Sequence, residues 1–429
     1  MSKVGFLKNK VFSNSLWLIL EKILSIFGLI FVTSMVAKYI GPDNYGKLVF
    51  ASSLFAVIQT ISMFGSENLF FQKISKNRVI GEKLIAATKK YRTIIYSVLS
   101  ILLLSYLYFY TDQLTFIYSI ATCIALYFAL HDTPYVIYFD ALLKSKVNVI
   151  CNMVGILVTL IVRYLIVKLN LSLMWFIVPI MSFSVIPYFI RIYFYKKNKT
   201  KINLNSNASK IYRTYMLGAG KKLLLYSLAV VIYTRTAQIF LGMKSQEDLG
   251  IYTVAVTLGM SFSFVLNAVI TSYMSQIYAE RNFQKSKNMT SFLYGIILVI
   301  SLCAIVFLYF LGPYIIYYLY GEKYERVNNI LILVSFSCLL SSISNISDKY
   351  LVKESAYNYL SRKTNILVMF NILTAMFLIN IYGLIGAVIS VLLTELISAT
   401  ICNYFFRYGE IFKVQLQTFS LKVYRKSHD

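Results

Sequence analysis

Arg235 is the residue in this sequence with the most to explain. It stands in VIYTRTAQIF, about twenty residues into an apolar segment. A charge at the centre of a bilayer costs at least about 2.5–3.5 kcal/mol, so such residues usually face a cavity or a partner. Gln238 follows one helical turn on and shares its face. Lys221 lies fourteen positions before Arg235, within about 40° of it around a helix of 3.6 residues per turn, and Lys222 is beside it. Lys22 occupies a comparable depth in the first apolar segment, and Arg163 lies near the outer end of the fifth. A cavity lined by Arg235, Lys22, Lys221, Lys222, Gln238 and Arg163 would take an anion. Phosphate suits it best, because Arg and Lys bind phosphate through charge-assisted hydrogen bonds. For Lys221, Lys222 and Arg163 the competing reading is snorkelling, in which a long side chain near a helix end reaches the interface.

Four carboxylates, Glu21, Glu67, Asp132 and Glu395, lie at similar depth. Asp132 follows His131 in the fourth segment, Glu395 sits midway along the twelfth, and Glu21 precedes Lys22. Protonatable groups there suit coupling to H+ or Na+. The alternative for Asp132 and Glu395 is an interhelical hydrogen bond or salt bridge, and for Glu21 a neutralising pair with Lys22. No enzyme signature accompanies them. The chain has two histidines, His131 and His428, no nucleophile–base arrangement and no Gly-Lys-Ser/Thr phosphate loop. Cys123, Cys151, Cys303, Cys338 and Cys402 all fall in apolar runs without metal-ligand spacing and read as small core residues. Neither a metal nor an organic cofactor is expected. The reading is a transporter driven by an ion gradient or by substrate supply, not an enzyme.

The elements that position these residues follow from composition. Of 429 residues 58% are apolar and 14% charged, against about 25% charged in soluble domains. Apolar stretches near twenty residues recur along the chain, the length that crosses about 30 Å of hydrocarbon as helix. Runs such as SVLSILLLSYLYFY do not alternate as barrel strands would, so the segments are helical. The spans expected are 13–38, 45–70, 92–110, 114–138, 148–168 and 172–194, then 216–242, 248–276, 290–311, 327–348, 360–380 and 384–406. The first of these follows a basic N-terminus but has no small-residue cleavage site, so it reads as a retained helix rather than a signal peptide. The fold class is therefore an all-α integral membrane protein of about twelve transmembrane helices in two six-helix lobes.

The longest polar stretch, KKNKTKINLNSNASKIYR from Lys196 to Arg213, separates the lobes. It divides the chain into an N-terminal lobe, 1–200, and a C-terminal lobe, 201–429. The net charge of +25 points to topology rather than to nucleic acid. Thirty-one Lys and Arg fall in the tails and in or beside the even-numbered connections, and six in or beside the odd-numbered ones. Cytoplasmic loops hold the basic excess, so both termini are expected in the cytoplasm. The halves also repeat: Gly41, Gly46 and Ala51 after the first helix are echoed by Gly242, Gly250 and Ala255 after the seventh. Six helices separate the copies, an arrangement that suggests two lobes rocking about a central site. Pro134, Pro179 and Pro187 interrupt helices and permit kinks.

Asn14 to Trp17 and Glu21-Lys22 in the first helix, followed by Ala37-Lys38-Tyr39-Ile40-Gly41-Pro42-Asp43-Asn44-Tyr45-Gly46, resemble the Wzx-type polysaccharide flippases. These belong to the multidrug/oligosaccharidyl-lipid/polysaccharide exporter superfamily, which includes the MATE transporters. A second match is Tyr317-Tyr318-Leu319-Tyr320-Gly321-Glu322-Lys323-Tyr324 after the ninth helix. The resemblance implies a multi-pass protein of the bacterial inner membrane that moves an undecaprenyl-diphosphate-linked oligosaccharide, an O-antigen or capsule repeat unit, to the outer leaflet by alternating access. It also implies a cation-lined cavity, antiport of H+ or Na+, and work beside a polysaccharide polymerase and chain-length machinery. One departure stands out. Where relatives often carry a Pro late in the eighth helix, this chain reads Ala268-Val269-Ile270-Thr271-Ser272. The alternatives are a MATE-like drug or cation antiporter, which would want an acidic cavity, and a membrane glycosyltransferase or polymerase.

Overall fold

The computed structural model describes residues 3–200 and 206–419, and they are almost wholly helical. The first half runs α1 (Lys3–Met63), α2 (Ser66–Lys76), α3 (Arg78–Tyr110), α4 (Gln113–Ala141), α5 (Ser145–Lys168) and α6 (Ile177–Asn198). The second runs α7 (Ser206–Lys244), α8 (Gln246–Gly259), α9 (Ser263–Ala279), α10 (Phe283–Tyr320), α11 (Asn328–Lys353), α12 (Tyr357–Ala399), α13 (Ile401–Tyr404) and α14 (Glu410–Gln417). Contacts divide the chain into two compact units, one of residues 1–40 and 47–232, the other of 41–46 and 233–429.

Among the described residues nine helices are long and apolar enough to cross a membrane, or ten if the bent pair α8–α9 is one crossing. Two pairs of helices expected to be separate are each joined. The first expected span and most of the second lie in α1, and the eleventh and most of the twelfth in α12. Each long helix is interrupted at one glycine, Gly41 (φ 77°) in α1 and Gly383 (φ 55°) in α12. Positive φ is open to glycine at little cost, and Pro42 starts the following helix where its missing N–H costs nothing. The expected connection at 39–44 therefore shrinks to a one-residue break. At the second break Lys244 takes over the orphaned carbonyls, donating from Nζ to Ile379 O (2.8 Å) and Asn380 O (2.7 Å).

Many outward side chains are large and apolar: Leu102, Phe109, Val299, Phe310 and Phe377 are each more than 60% exposed. In water such a surface would aggregate, whereas lipid tails solvate it. The interiors are close-packed, with Leu266, Ile270, Leu293, Ile297 and Ile346 fully buried between α9, α10 and α11. Cys151 and Cys338 are buried as expected, but Cys303 is exposed on α10 and faces outward rather than joining a core.

The glycines of the sequence repeat meet each other. A Cβ on Gly46 would overlap the carbonyl oxygen of Gln246, and one on Gly250 would overlap that of Pro42. Only hydrogen at both positions lets these backbones touch, and a backbone cannot swing aside as a side chain can. Gly250→Ala is therefore expected to lower the thermal midpoint of the purified protein and its yield, whereas Gly218→Ala is expected to be neutral because a Cβ there meets open space. Equal behaviour of the two variants in a melting series would refute the contact.

Candidate functional site

Within the second unit, α7 presents two different faces. Tyr233 donates its hydroxyl to Glu395 Oε1 at 2.6 Å, tying α7 to α12. Glu395 is only 7% exposed, and among the described residues it forms no ion pair. Arg235, two residues on, is turned about 200° from Tyr233 around the helix. It is half-buried, and its Nη1 donates to Gln238 Oε1 at 2.8 Å. The sequence expectation that Arg235 and Gln238 share a face is met, while Arg235 and Glu395 are not brought together.

A third charged centre in this unit was missed. Lys363 is buried and bonds to Asp348 Oδ1 (2.7 Å) and Asn403 Oδ1 (3.2 Å). Asn403 in turn donates to Ser347 Oγ (3.1 Å), and Ser347 pairs with the Tyr294 hydroxyl (2.8 Å). The network is closed by hydrogen bonds across α10, α11, α12 and α13, which is how a buried charge becomes tolerable.

In the first unit Asp132 is engaged. It forms an ion pair with Arg191, and Arg191 also donates to Asn152 Oδ1 and to the Asn148 carbonyl at 3.4 Å. Arg191 is fully buried, so α4, α5 and α6 are clamped around it. His131 meets the Thr93 hydroxyl through Nε2 at 3.1 Å. Arg163 on α5 reaches Thr33 Oγ1 at 3.3 Å, which gives it a helix–helix contact.

Among the described residues Arg92 on α3 is the other buried Lys or Arg of this unit, at 3% exposure. Its Nη1 donates to Thr88 Oγ1 (2.8 Å), its guanidinium stands 5.2 Å from the centre of the Phe70 ring, and its Nε has no partner. Among the described residues Arg92 forms no ion pair with a carboxylate. A thirty-one-residue tally of connecting cations included Arg92, Arg191 and Lys363, and the structure moves all three inward. The signal that identifies them is position: each falls at or inside the end of an expected span.

The side chains of Lys22, Glu21, Lys221 and Lys222 lie outside the described residues. Among the described residues no group of three or more His, Cys, Asp or Glu is placed to hold a metal ion.

Comparison with known proteins places this geometry in a lineage. Residues 11–276 match the family model described as polysaccharide biosynthesis protein. The chain is similar to the capsular polysaccharide biosynthesis protein CapF of Staphylococcus aureus, 26% identical over 304 residues, 68% of this chain and 74% of that one. Among solved structures it is similar to the lipid II flippase MurJ in an inward closed conformation, with a TM-score of 0.72 at 15% identity, covering 95% of this chain and 90% of that one. An inward-facing MATE family transporter of the MOP superfamily follows at TM-score 0.66 and 14% identity, covering 92% and 94%. At such identities the structural likeness speaks for the fold, and the family match speaks for the lineage. The chain is a multi-pass membrane protein that belongs to the polysaccharide biosynthesis protein family and has the fold of the multidrug/oligosaccharidyl-lipid/polysaccharide exporter superfamily.

Proposed function

We propose that the protein is a flippase that carries an undecaprenyl-diphosphate-linked oligosaccharide, an O-antigen or capsule repeat unit, from the cytoplasmic to the outer leaflet of the bacterial inner membrane. The observation that carries the reading is the polysaccharide biosynthesis match over residues 11–276 on a chain folded like an exporter. Twelve crossings with both termini cytoplasmic complete it, α1 and α12 each being long enough for two. Arg235 with Gln238 offers charge-assisted hydrogen bonds to a diphosphate. The lobes alternate access to the two leaflets, beside a polysaccharide polymerase and chain-length machinery.

Coupling to H+ or Na+ falls to Glu395 rather than Asp132, whose charge is already matched by Arg191. Glu21 remains a second candidate. Glu395→Gln keeps the shape and the hydroxyl contact to Tyr233 but cannot release a proton or hold a cation as a carboxylate does. Transport in vesicles is expected to lose its dependence on an imposed pH or sodium gradient in that variant; full gradient dependence would remove Glu395 from coupling.

Leaflet-resolved mass spectrometry of polyprenyl-linked oligosaccharides, in hosts with and without this chain, tests the function. Complete repeat units trapped on the cytoplasmic side without the protein support it. Incomplete units would indicate an assembly enzyme. An unchanged pool with altered efflux of organic cations would indicate a drug antiporter, the reading that the MATE-like fold keeps open.

A further inference from the structure

We propose that α14 is an interfacial anchor, whose outward face lies in the headgroup region of the bilayer and favours anionic lipid. The chain leaves α13 through Arg407, Tyr408 and Gly409, all at positive φ (42°, 57° and 79°), and this turn redirects it into α14. One face of α14 is firmly seated. Ile411, Val414 and Thr418 are buried, at the i, i+3, i+7 spacing of a single helical stripe. Ser291 Oγ donates to Val414 O (2.7 Å), Thr418 Oγ1 to Ser291 O (3.1 Å), and Gln415 Nε2 to Ala399 O (2.9 Å). Glu410 accepts from the Tyr350 hydroxyl at 2.8 Å and pairs with Lys287 at 3.3 Å.

The opposite side is apolar too, and among the described residues nothing covers it. Phe412, Leu416 and Phe419 share it, at 37, 53 and 79% exposure, and Tyr408 and Phe405 in the turn are 98 and 76% exposed. A helix seated by one face has no folding reason to keep an aromatic second face. Its position supplies the reason. The exposed residues Leu396, Ile401 and Tyr404 belong to the apolar stretch Tyr357–Tyr404, long enough to cross a membrane, and the exposed Phe405 and Tyr408 follow it directly in the chain and lead into α14. Eight residues of helix span only about 12 Å, so α14 lies on the membrane instead of crossing it. Tyr and Phe beside Lys413, with Lys422, Arg425 and Lys426 in the sequence that follows, suit the headgroup layer and attract anionic lipid. Assigning the cytoplasmic leaflet rests on the topology proposed above; the contact with lipid does not.

The test uses full-length protein in which Trp17 and Trp175 are replaced by Phe, with one new Trp at Phe412 or Tyr408, reconstituted into vesicles of brominated phosphatidylcholine. Quenching is expected to match that of a Trp placed at Phe377, which faces outward on α12. It should increase when the bromine is carried on phosphatidylglycerol, and Lys413→Glu should remove that increase. Quenching by aqueous iodide with none by bromolipid would overturn the anchor. Fluorescence shielded from both, with a rise in protein mass at higher concentration, would assign the face to a second copy and overturn it equally. The Trp at Tyr408, almost wholly exposed, keeps the test decisive if the one at Phe412 impairs folding. Since no transport is measured, a negative result here leaves the flippase reading untouched, and a failed flippase leaves the anchor standing.

Discussion

Arg235→Ala is expected to cut export of the lipid-linked repeat unit roughly 10- to 100-fold while the protein reaches the membrane at its normal level. The magnitude is that of one hydrogen bond to a charged group, about 1.5–3 kcal/mol, at about 1.4 kcal/mol per tenfold change. The variant should fold, because the hydrogen bond that Arg235 donates to Gln238 lies within one helix and is not a clamp between helices. Arg235→Lys keeps the charge but loses the planar fork that engages two phosphate oxygens at once, so partial export is expected. Counting repeat units in the outer leaflet, normalised to protein amount, separates the three forms. Wild-type export from the alanine variant would remove Arg235 from the translocation path.

A different outcome is expected at Arg191. Removing one partner of a buried ion pair costs about 3–5 kcal/mol, because the other charge is left uncompensated. Arg191→Met should therefore lower yield and melting temperature sharply, and export should fall in proportion to the protein lost. The double variant Asp132→Asn with Arg191→Met removes both charges and should regain most of the stability, since apolar and neutral replacements of a buried pair are often well tolerated. If the double variant also restores export, Asp132 is a structural residue. If it folds normally and exports nothing, Asp132 takes part in transport after all. Melting curves and export, measured on the same preparations, give both answers.

Several features were plain in the sequence because they are local. Helix and membrane follow from runs of apolar residues with no alternation, and one segment is enough to read them. The glycine repeat was equally legible: Gly46 and Gly250 recur at matched places, and the structure sets them against each other's segments. Gln238 beside Arg235 is a consequence of helical spacing alone. The breaks at Gly41 and Gly383 were half legible, since each stood where a connection was expected, but only backbone geometry reduced those connections to single residues.

What sequence alone determined, then, was the class of the chain, its run of long apolar segments and the short list of charges to be explained. Tertiary structure decided which of those charges are already answered. Asp132 finds Arg191 59 residues away, and Glu395 finds Tyr233 162 residues away. Arg92 and Lys363 sit near helix ends, where sequence cannot tell an interfacial cation from a buried one. The physical reason is the same in each case. Apolar length is a property of one segment, whereas the cost of a buried charge depends on what neighbouring helices place within about 4 Å of it.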